Sequence, residues 1–167
     1  MDELFDIVTE ENLPLGITKP RATVHEEMKD WHRVTHIWIA NNDNQILCQQ
    51  RSFTKDKNPG KWQSFFGGHL KAGQTYEANA VSELTEELGL NIKAEQLIPL
   101  YVRKSESQKH FAQVYLVKWQ GNSGELRFND GEVAQVKWYN LSDLEQAILQ
   151  DQFCNSMDNK VKEHLLK

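Results

Sequence analysis

The stretch that decides the fold is GGHLKAGQTYEANAVSELTEELGL, residues 67–90. It predicts a helix over Thr75–Leu88, which Thr75 can cap at its first turn and Gly89 can end in a left-handed conformation. Apolar residues recur at helical spacing and give this helix one stripe for a core: Val81, Leu84 and Leu88. A glycine-rich turn therefore leads into an amphipathic helix.

The polar face of this helix carries three carboxylates, Glu83, Glu86 and Glu87, whose i, i+3 and i+4 spacing places them on one side. They lie in the last turns, where the helix dipole disfavours each anion by about 0.3–1 kcal/mol. No Lys or Arg occurs between Lys71 and Lys93 to neutralise them. The pattern indicates either a solvated acidic face or a cation site, and hard oxygen ligands favour Mg²⁺ or Mn²⁺.

Length and charge limit the remaining possibilities. The 167 residues fit one domain, and 19 basic against 24 acidic residues give a net charge of −5. No basic block occurs, so neither a nucleic acid nor a membrane surface is an expected partner, although a local cationic pocket suffices for a small anion. No apolar run is long enough to span a membrane, and the first six residues lack a basic signal-peptide region. The two distant cysteines read as reduced thiols, so we expect a cytoplasmic protein.

Strands and helices are interspersed along the chain, which predicts an α/β or α+β fold with a mixed sheet. The N-terminal arm, residues 1–30, is expected to contain a short strand, a polar turn at Asn12–Gly16 and a polar connector at Ala22–Asp30. The other predicted strands are 34–40, 45–50, 62–66, 97–103, 111–119 and 133–139. A capping box at Ser142–Glu145 predicts one more helix, and 155–166 a terminal one.

Residues 68–90 resemble the Nudix box, G-x5-E-x7-R-E-U-x-E-E-x-G-U, in which U is apolar. Seven of its nine specified positions match: Gly68, Glu83, Leu84, Glu86, Glu87, Gly89 and Leu90. The resemblance implies a single Nudix-type domain over 1–167, folded as an α/β/α sandwich around a mixed β-sheet, with the box forming loop–helix–loop. It also implies hydrolysis, dependent on Mg²⁺ or Mn²⁺, of a diphosphate linkage in a nucleoside diphosphate derivative or a related small molecule.

Two positions depart from the box, Gln74 for the first Glu and Ser82 for the Arg. Gln74 cannot carry a negative charge, so it serves neither as a base nor as an anionic ligand. Ser82 cannot make the bidentate bond by which the family arginine orients a box carboxylate. The alternative to an active hydrolase is therefore a catalytically weak or inactive Nudix-like module that binds a diphosphate ligand.

Outside the box, the chain is similar to the branch related to isopentenyl-diphosphate isomerases, through residues 31–38, 49–52, 55, 59–62 and 67–69. In those isomerases the residues matching Arg51 and Lys55 bind the substrate diphosphate. Their metal-binding histidines are similar in placement to His25, His32 and His69. The isomerase needs a catalytic Cys where this chain has Gly67, and its two acids expected around residues 110–112 are absent. Isomerase activity is therefore a disfavoured third possibility.

These considerations predict a set of site residues. The metal ligands are Glu83, Glu86, Glu87 and, by analogy with the family, the carbonyl of Gly68. Glu86 and Glu87 are jointly named as the catalytic base, because the sequence does not distinguish them. The predicted substrate-binding residues are Arg51, Lys55 and His69.

Several of these residues also have an ordinary structural interpretation. Arg51 and Lys55 are otherwise an exposed basic loop, and His69 otherwise ends a turn. His25 and His32 are either metal ligands or partly buried structural histidines, and His36 is expected to be structural. Glu132 is either an additional metal carboxylate or an ordinary turn residue. The expected partner is a small-molecule diphosphate, and the sequence leaves monomer and homodimer both open.

Overall fold

The computed structural model describes residues 3–55, 57–129 and 131–167. Its strands are β1 (Leu4–Val8), β2 (Pro14–Pro20), β3 (His32–Ala40), β4 (Ile46–Arg51), β5 (Trp62–Gln63), β6 (Ile98–Ser105), β7 (His110–Lys118) and β8 (Val133–Tyr139). Its α-helices are α1 (Arg21–Glu27), α2 (Tyr76–Leu88), α3 (Leu141–Leu149) and α4 (Asn159–Leu165), and short 3₁₀ helices lie at Ala94–Gln96 and Ser123–Glu125.

The central sheet is mixed, as expected. Its order is β5-β4-β3-β7-β6, and β8 pairs with β4. The central pair β3–β7 is parallel, in a register that runs from His32 opposite His110 to Ala40 opposite Lys118, and the other pairs are antiparallel. Both faces of β3 are largely buried, which is typical of a central parallel strand with layers on either side.

Helices cover the two faces of this sheet. On one face, Ile37 and Ile39 of β3 pack in a cluster with Leu84 and Leu88 of α2. On the other face, Trp38 and Ala40 pack in a cluster whose further members lie on α3 and α4: Leu144, Ala147, Val161 and Leu165. The predicted α/β/α sandwich around a mixed sheet is therefore confirmed.

The ends of α2 are formed as the sequence predicts. The side chain of Thr75 accepts a hydrogen bond from the Ala78 amide at 3.2 Å. Gly89 takes a left-handed conformation, φ 64°, and its amide donates to the Thr85 carbonyl at 2.9 Å. Local capping therefore sets the two ends of the helix, and Leu84 and Leu88 of its apolar stripe pack in the core.

The N-terminal arm differs from the prediction. The turn expected at Asn12–Gly16 lies earlier, at residues 10–12, because β2 begins at Pro14. The connector expected at Ala22–Asp30 is wrong, because α1 occupies Arg21–Glu27. β2 is formed by pairing with β1, and its apolar residues Leu15 and Ile17 alternate along the strand, although both are exposed. Val24 is the buried residue of α1, which leaves that helix without an apolar stripe.

Three other boundaries are corrected. Asn140, rather than Ser142, caps α3, since its side chain accepts from the Asp143 amide at 2.8 Å. Asp158 caps α4, so the helix begins at Asn159 and the predicted start at residue 155 is too early. β5 ends at Gln63, although Phe66 still pairs with Ile37 in an isolated bridge. The first two corrections have one cause: short polar side chains capture free amides and begin the helix beyond themselves.

Candidate active site

The glycine-rich loop before α2 is held against β3 by its backbone. The Thr35 amide donates to the Gly68 carbonyl at 2.9 Å, and the Leu70 amide donates to the Arg33 carbonyl at 3.0 Å. At Gly67, φ is +120° and an added Cβ would lie 2.3 Å from the Thr35 carbonyl oxygen. This close approach of two backbones requires glycine at position 67. One lone pair of the Gly68 carbonyl remains for another donor or for a cation.

Gly68 is in contact with the acidic helix. A Cβ added there would lie 2.6 Å from Oε1 of Glu83 and 2.8 Å from its Oε2. Glu83 and Glu86 line a cavity of about 730 Å³, together with Gly68. Glu87 is buried, and its Oε2 accepts a hydrogen bond from the Gly67 amide at 3.2 Å. Two of the three predicted carboxylates therefore face the cavity, and the third supports the loop behind it.

The electrostatics of Glu83 favour a bound cation. Burial, and then the neighbouring charge of Glu86, raise the pKa of Glu83 to about 7. Without a counter-charge this carboxyl is protonated in a large fraction of molecules at neutral pH, because an isolated buried anion is unfavourable. A divalent cation at the carboxylates would reverse this preference. Carboxylate and carbonyl oxygens are the donor set that suits Mg²⁺ or Mn²⁺.

Both departures from the box have defined contacts. Gln74 Oε1 accepts hydrogen bonds from the Lys71 amide at 2.8 Å and from Asn79 Nδ2 at 3.3 Å. Ser82 Oγ donates to Oε1 of Glu86 at 2.5 Å. Gln74 therefore acts purely as an acceptor that closes the loop, while Ser82 orients a carboxylate one turn further along the helix.

The predicted cationic residues face the same cavity. Arg51 and Lys55 both line it. Arg51 donates to the Lys57 carbonyl at 3.1 Å and to Gln63 Oε1 at 3.2 Å, which fixes the direction of its guanidinium. Lys55 Nζ lies 2.7 Å from the carboxylate of Glu132, which also lines the cavity. Glu132 is thus more than a turn residue, because it brings a further carboxylate to the cavity wall.

Three histidines form a second donor set at the same cavity. One ring nitrogen from each of His25, His32 and His69 lies within 4.8 Å of the others, and the His25 and His69 Nε2 atoms are 3.1 Å apart. Phe5 of β1 stacks on the rings of His32 and His69. Nε2 of His32 is buried without a hydrogen-bond partner in the described part of the chain. A buried polar atom of this kind is commonly satisfied by an ion or water.

The protonation of these histidines also suits a metal. Burial is the main cause that lowers the pKa of His32 to about 4 and that of His69 to about 2, and it lowers the pKa of His25 as well. The rings are therefore neutral at physiological pH, which is the form that binds metals. Imidazole nitrogens suit Zn²⁺ and other transition metals better than Mg²⁺. His69, predicted to contact phosphate, thus lies among neutral imidazoles and brings no positive charge.

Sequence reasoning missed several residues of the cavity wall. His36, expected to be structural, lines the cavity, and so does His110; their pKa values are lowered, mainly by burial, to about 3 and about 4. Together with the cluster they are called here the cavity histidines: His25, His32, His36, His69 and His110. The parallel register sets His110 opposite His32, a juxtaposition with no local sequence signal. The cavity wall also includes cations from three segments: Arg21, Lys57 and Lys71.

The comparisons with known proteins agree with this geometry. The NUDIX domain model matches residues 30–158. The chain belongs to the Nudix family. Nudix hydrolase 3 of Arabidopsis thaliana is 36% identical over 125 residues, which cover 70% of this chain but only 16% of that protein. Isopentenyl-diphosphate Delta-isomerase 2 of Photorhabdus laumondii is 26% identical, over 89% of this Nudix chain and 83% of the isomerase.

A solved structure matches the fold of this Nudix protein almost end to end. DR0079 of Deinococcus radiodurans superposes with a TM-score of 0.74, covers 96% of both chains and is 23% identical. At that identity the match supports the fold alone. No helix within the described residues combines the length and apolar character that a membrane span requires. Cys48 and Cys154 are both free thiols.

Proposed function

We propose that this Nudix protein hydrolyses a diphosphate linkage in a nucleoside diphosphate derivative or a related small molecule, with Mg²⁺ or Mn²⁺ as cofactor. One observation carries the proposal: Glu83 and Glu86 share a single cavity with Arg51 and Lys55. A diphosphate needs both a cation held by acids and basic groups that hold its remaining oxygens. The volume of about 730 Å³ suits a nucleotide-sized ligand.

The proposal assigns tasks to individual residues, and Glu86 has two of them. Arg51 and Lys55 hold the phosphate oxygens, with the guanidinium suited to a bidentate contact. Glu83 and Glu86, with the Gly68 carbonyl, hold the cation. When bound, a divalent cation neutralises charge on the phosphate oxygens and lowers the pKa of the attacking water. Glu86 is the favoured general base, because it faces the cavity, whereas Glu87 accepts a hydrogen bond from the Gly67 amide.

The histidine cluster adds a site of different chemistry to the same cavity. His25, His32 and His69 fit a transition-metal ion, since they are neutral and converge, and Nε2 of His32 lacks a partner within the described residues. An ion held there would add positive charge to the wall that faces the ligand. Mg²⁺ would occupy the carboxylates, because it prefers oxygen donors.

Hydrolysis is tested with a panel of nucleoside diphosphate derivatives, with and without Mg²⁺, and products separated by chromatography. We expect cleavage at the diphosphate that EDTA abolishes and that Glu86→Gln reduces by at least 10²-fold, on the order expected for loss of a general base. Glu163→Gln is the matched control, since Glu163 is an exposed glutamate on α4. It should retain full activity.

The alternative module is separated by the same panel. A ligand that raises the melting temperature saturably, yet is recovered intact after prolonged incubation with Mg²⁺, would replace the hydrolase proposal with a binding role. Isomerase activity is tested by isotope exchange with isopentenyl diphosphate. We expect none, because Gly67 stands where the isomerases have their catalytic Cys.

A further inference from the structure

Asn79 has an unusual position for its residue type. It lies in the interior of α2 and is 1% exposed. Asparagine is unfavourable within helices, and a buried amide is costly unless its hydrogen bonds are made. Asn79 is not one of the specified positions of the Nudix box, so its burial among polar groups needs another explanation.

The Asn79 carboxamide joins three parts of the site. Thr35 Oγ1 on β3 donates to its Oδ1 at 2.6 Å. Its Nδ2 lies 3.0 Å from the His69 carbonyl, 3.3 Å from Gln74 Oε1 and 3.4 Å from Glu83 Oε1. These three neighbours are oxygen acceptors, so only the amide nitrogen can face them and the orientation of the amide is determined.

The contact with Thr35 makes this amide rigid. Thr35 is fully buried, and its backbone amide also donates to the Gly68 carbonyl. A single residue of the central strand therefore fixes both the loop and the Asn79 side chain. Asn79 in turn directs a donor at Glu83, while Ser82 directs one at Glu86. Glu83 and Glu86 thus each have a neutral donor on the same helix.

We propose that Asn79 is a positioning residue for Glu83, and that Asn79 and Ser82 together orient the carboxylates in place of the arginine missing at position 82. The inference rests on the proposed function, because it assigns Glu83 and Glu86 to a cation. It also explains how Gln74 is accommodated. Gln74 Oε1 needs only to accept hydrogen bonds, from Lys71 and Asn79, and a neutral amide does this as well as a carboxylate.

The test measures Mg²⁺ binding without requiring turnover. EDTA-treated protein is titrated with Mg²⁺, and the half-saturating concentration is read from the rise in melting temperature. Mg²⁺ reports on the carboxylates rather than on the histidines, since it prefers oxygen ligands. For Asn79→Ala and for Ser82→Ala, we expect the half-saturating Mg²⁺ concentration to rise about 10- to 100-fold, the usual effect of removing a group that orients a ligand. Substrate KM should change less than kcat in both variants.

The control is Thr85→Val, which removes a hydroxyl that donates to the Val81 carbonyl on α2 and to the Leu90 carbonyl just beyond its end. Its Mg²⁺ titration should match that of the wild type. A merely structural Asn79 would lower the melting temperature equally at all Mg²⁺ concentrations and leave the half-saturating concentration unchanged, which would overturn the proposal. If Asn79→Ala does not fold, Thr35→Val removes the anchor of the amide instead, and an unchanged Mg²⁺ titration for that variant would equally overturn the proposal.

A wild-type protein that binds Mg²⁺ but cleaves nothing would refute the hydrolase proposal while leaving the positioning role of Asn79 in force.

Discussion

Gly68→Ala tests whether the contact between the loop and Glu83 organises the site. The added Cβ would lie 2.6 Å from Oε1 of Glu83, about 0.8 Å closer than the 3.4 Å at which ordinary contact begins. The φ angle at Gly68 is not in the left-handed region, so the backbone accepts alanine. The flexible carboxylate must therefore move. Catalytic groups tolerate displacements of only about 0.5 Å, and a shift of about 1 Å can cost 10²-fold in rate.

We expect kcat/KM of Gly68→Ala to fall by about 10- to 100-fold, with a higher half-saturating Mg²⁺ concentration. The free energy of unfolding should change by no more than about 1 kcal/mol, because alanine also reduces the freedom of the unfolded chain. Rates are measured with the best substrate of the panel, and stability by urea unfolding in EDTA. Gly124→Ala is the control, since its Cβ would meet only Asn122 at 3.3 Å, away from the cavity. A folded Gly68→Ala protein with wild-type rate and Mg²⁺ dependence would refute the reasoning.

Three further perturbations follow from the same geometry. Gly67→Cys should lower the melting temperature and produce no isotope exchange with isopentenyl diphosphate, because its Cβ meets the Thr35 carbonyl at 2.3 Å and φ is +120°. His32→Ala should abolish tight Zn²⁺ binding, measured by calorimetry, while leaving the Mg²⁺ titration intact; equal loss of both would contradict two separate donor sets. In EDTA, the free energy of unfolding should decrease as pH falls from 7 to 4.5, in urea titrations. The cavity histidines have lowered pKa values in the folded protein, so their contribution to the free energy of unfolding is present above pH 6.5 and is lost on acidification. Glu83 acts in the opposite direction: its pKa is raised to about 7, so its contribution is present below pH 4.5 and is lost as pH rises. The pKa values of His32, His36, His69 and His110 all lie at about 4 or below, so over this pH range the loss from these four histidines outweighs the gain from one glutamate. Stability that increases on acidification would contradict this.

The sequence predicts α2 well because its determinants are local. Thr75, Gly89 and the apolar stripe act within one or two turns, so the caps and the face of the glutamates can be read directly. The hydrogen bond of Asn79 to Thr35 joins residues 44 positions apart and depends on how the loop lies along β3. Nothing in the residues around position 79 indicates that contact.

The N-terminal arm is also poorly predicted from the sequence, because distant contacts determine its position. β2 and α1 have little buried surface: Leu15 and Ile17 alternate along β2 but are exposed, and Val24 is the buried residue of α1. β2 pairs with β1, and distant contacts hold β1: the Ala72 amide donates to the Leu4 carbonyl at 2.8 Å, and the Gly73 amide donates to Asp6 Oδ2 at 2.7 Å. These bonds tie the arm to the loop before α2. The arm thereby brings His25 to the cavity, although only the resemblance to isomerases indicated that residue beforehand.

The two donor sets are mechanically linked, because neighbouring loop residues belong to different ones. Gly68 lies against Glu83, whereas His69 lies against His25, and the His69 carbonyl accepts from Asn79. A displacement of the loop must therefore disturb the oxygen donors and the imidazoles together. Glu86 and His25 lie on helices outside the loop, so removal of either side chain leaves the loop's backbone hydrogen bonds to β3 in place. Variants of the loop should consequently lose Mg²⁺ and transition-metal binding in parallel, and variants at those outer residues should separate them.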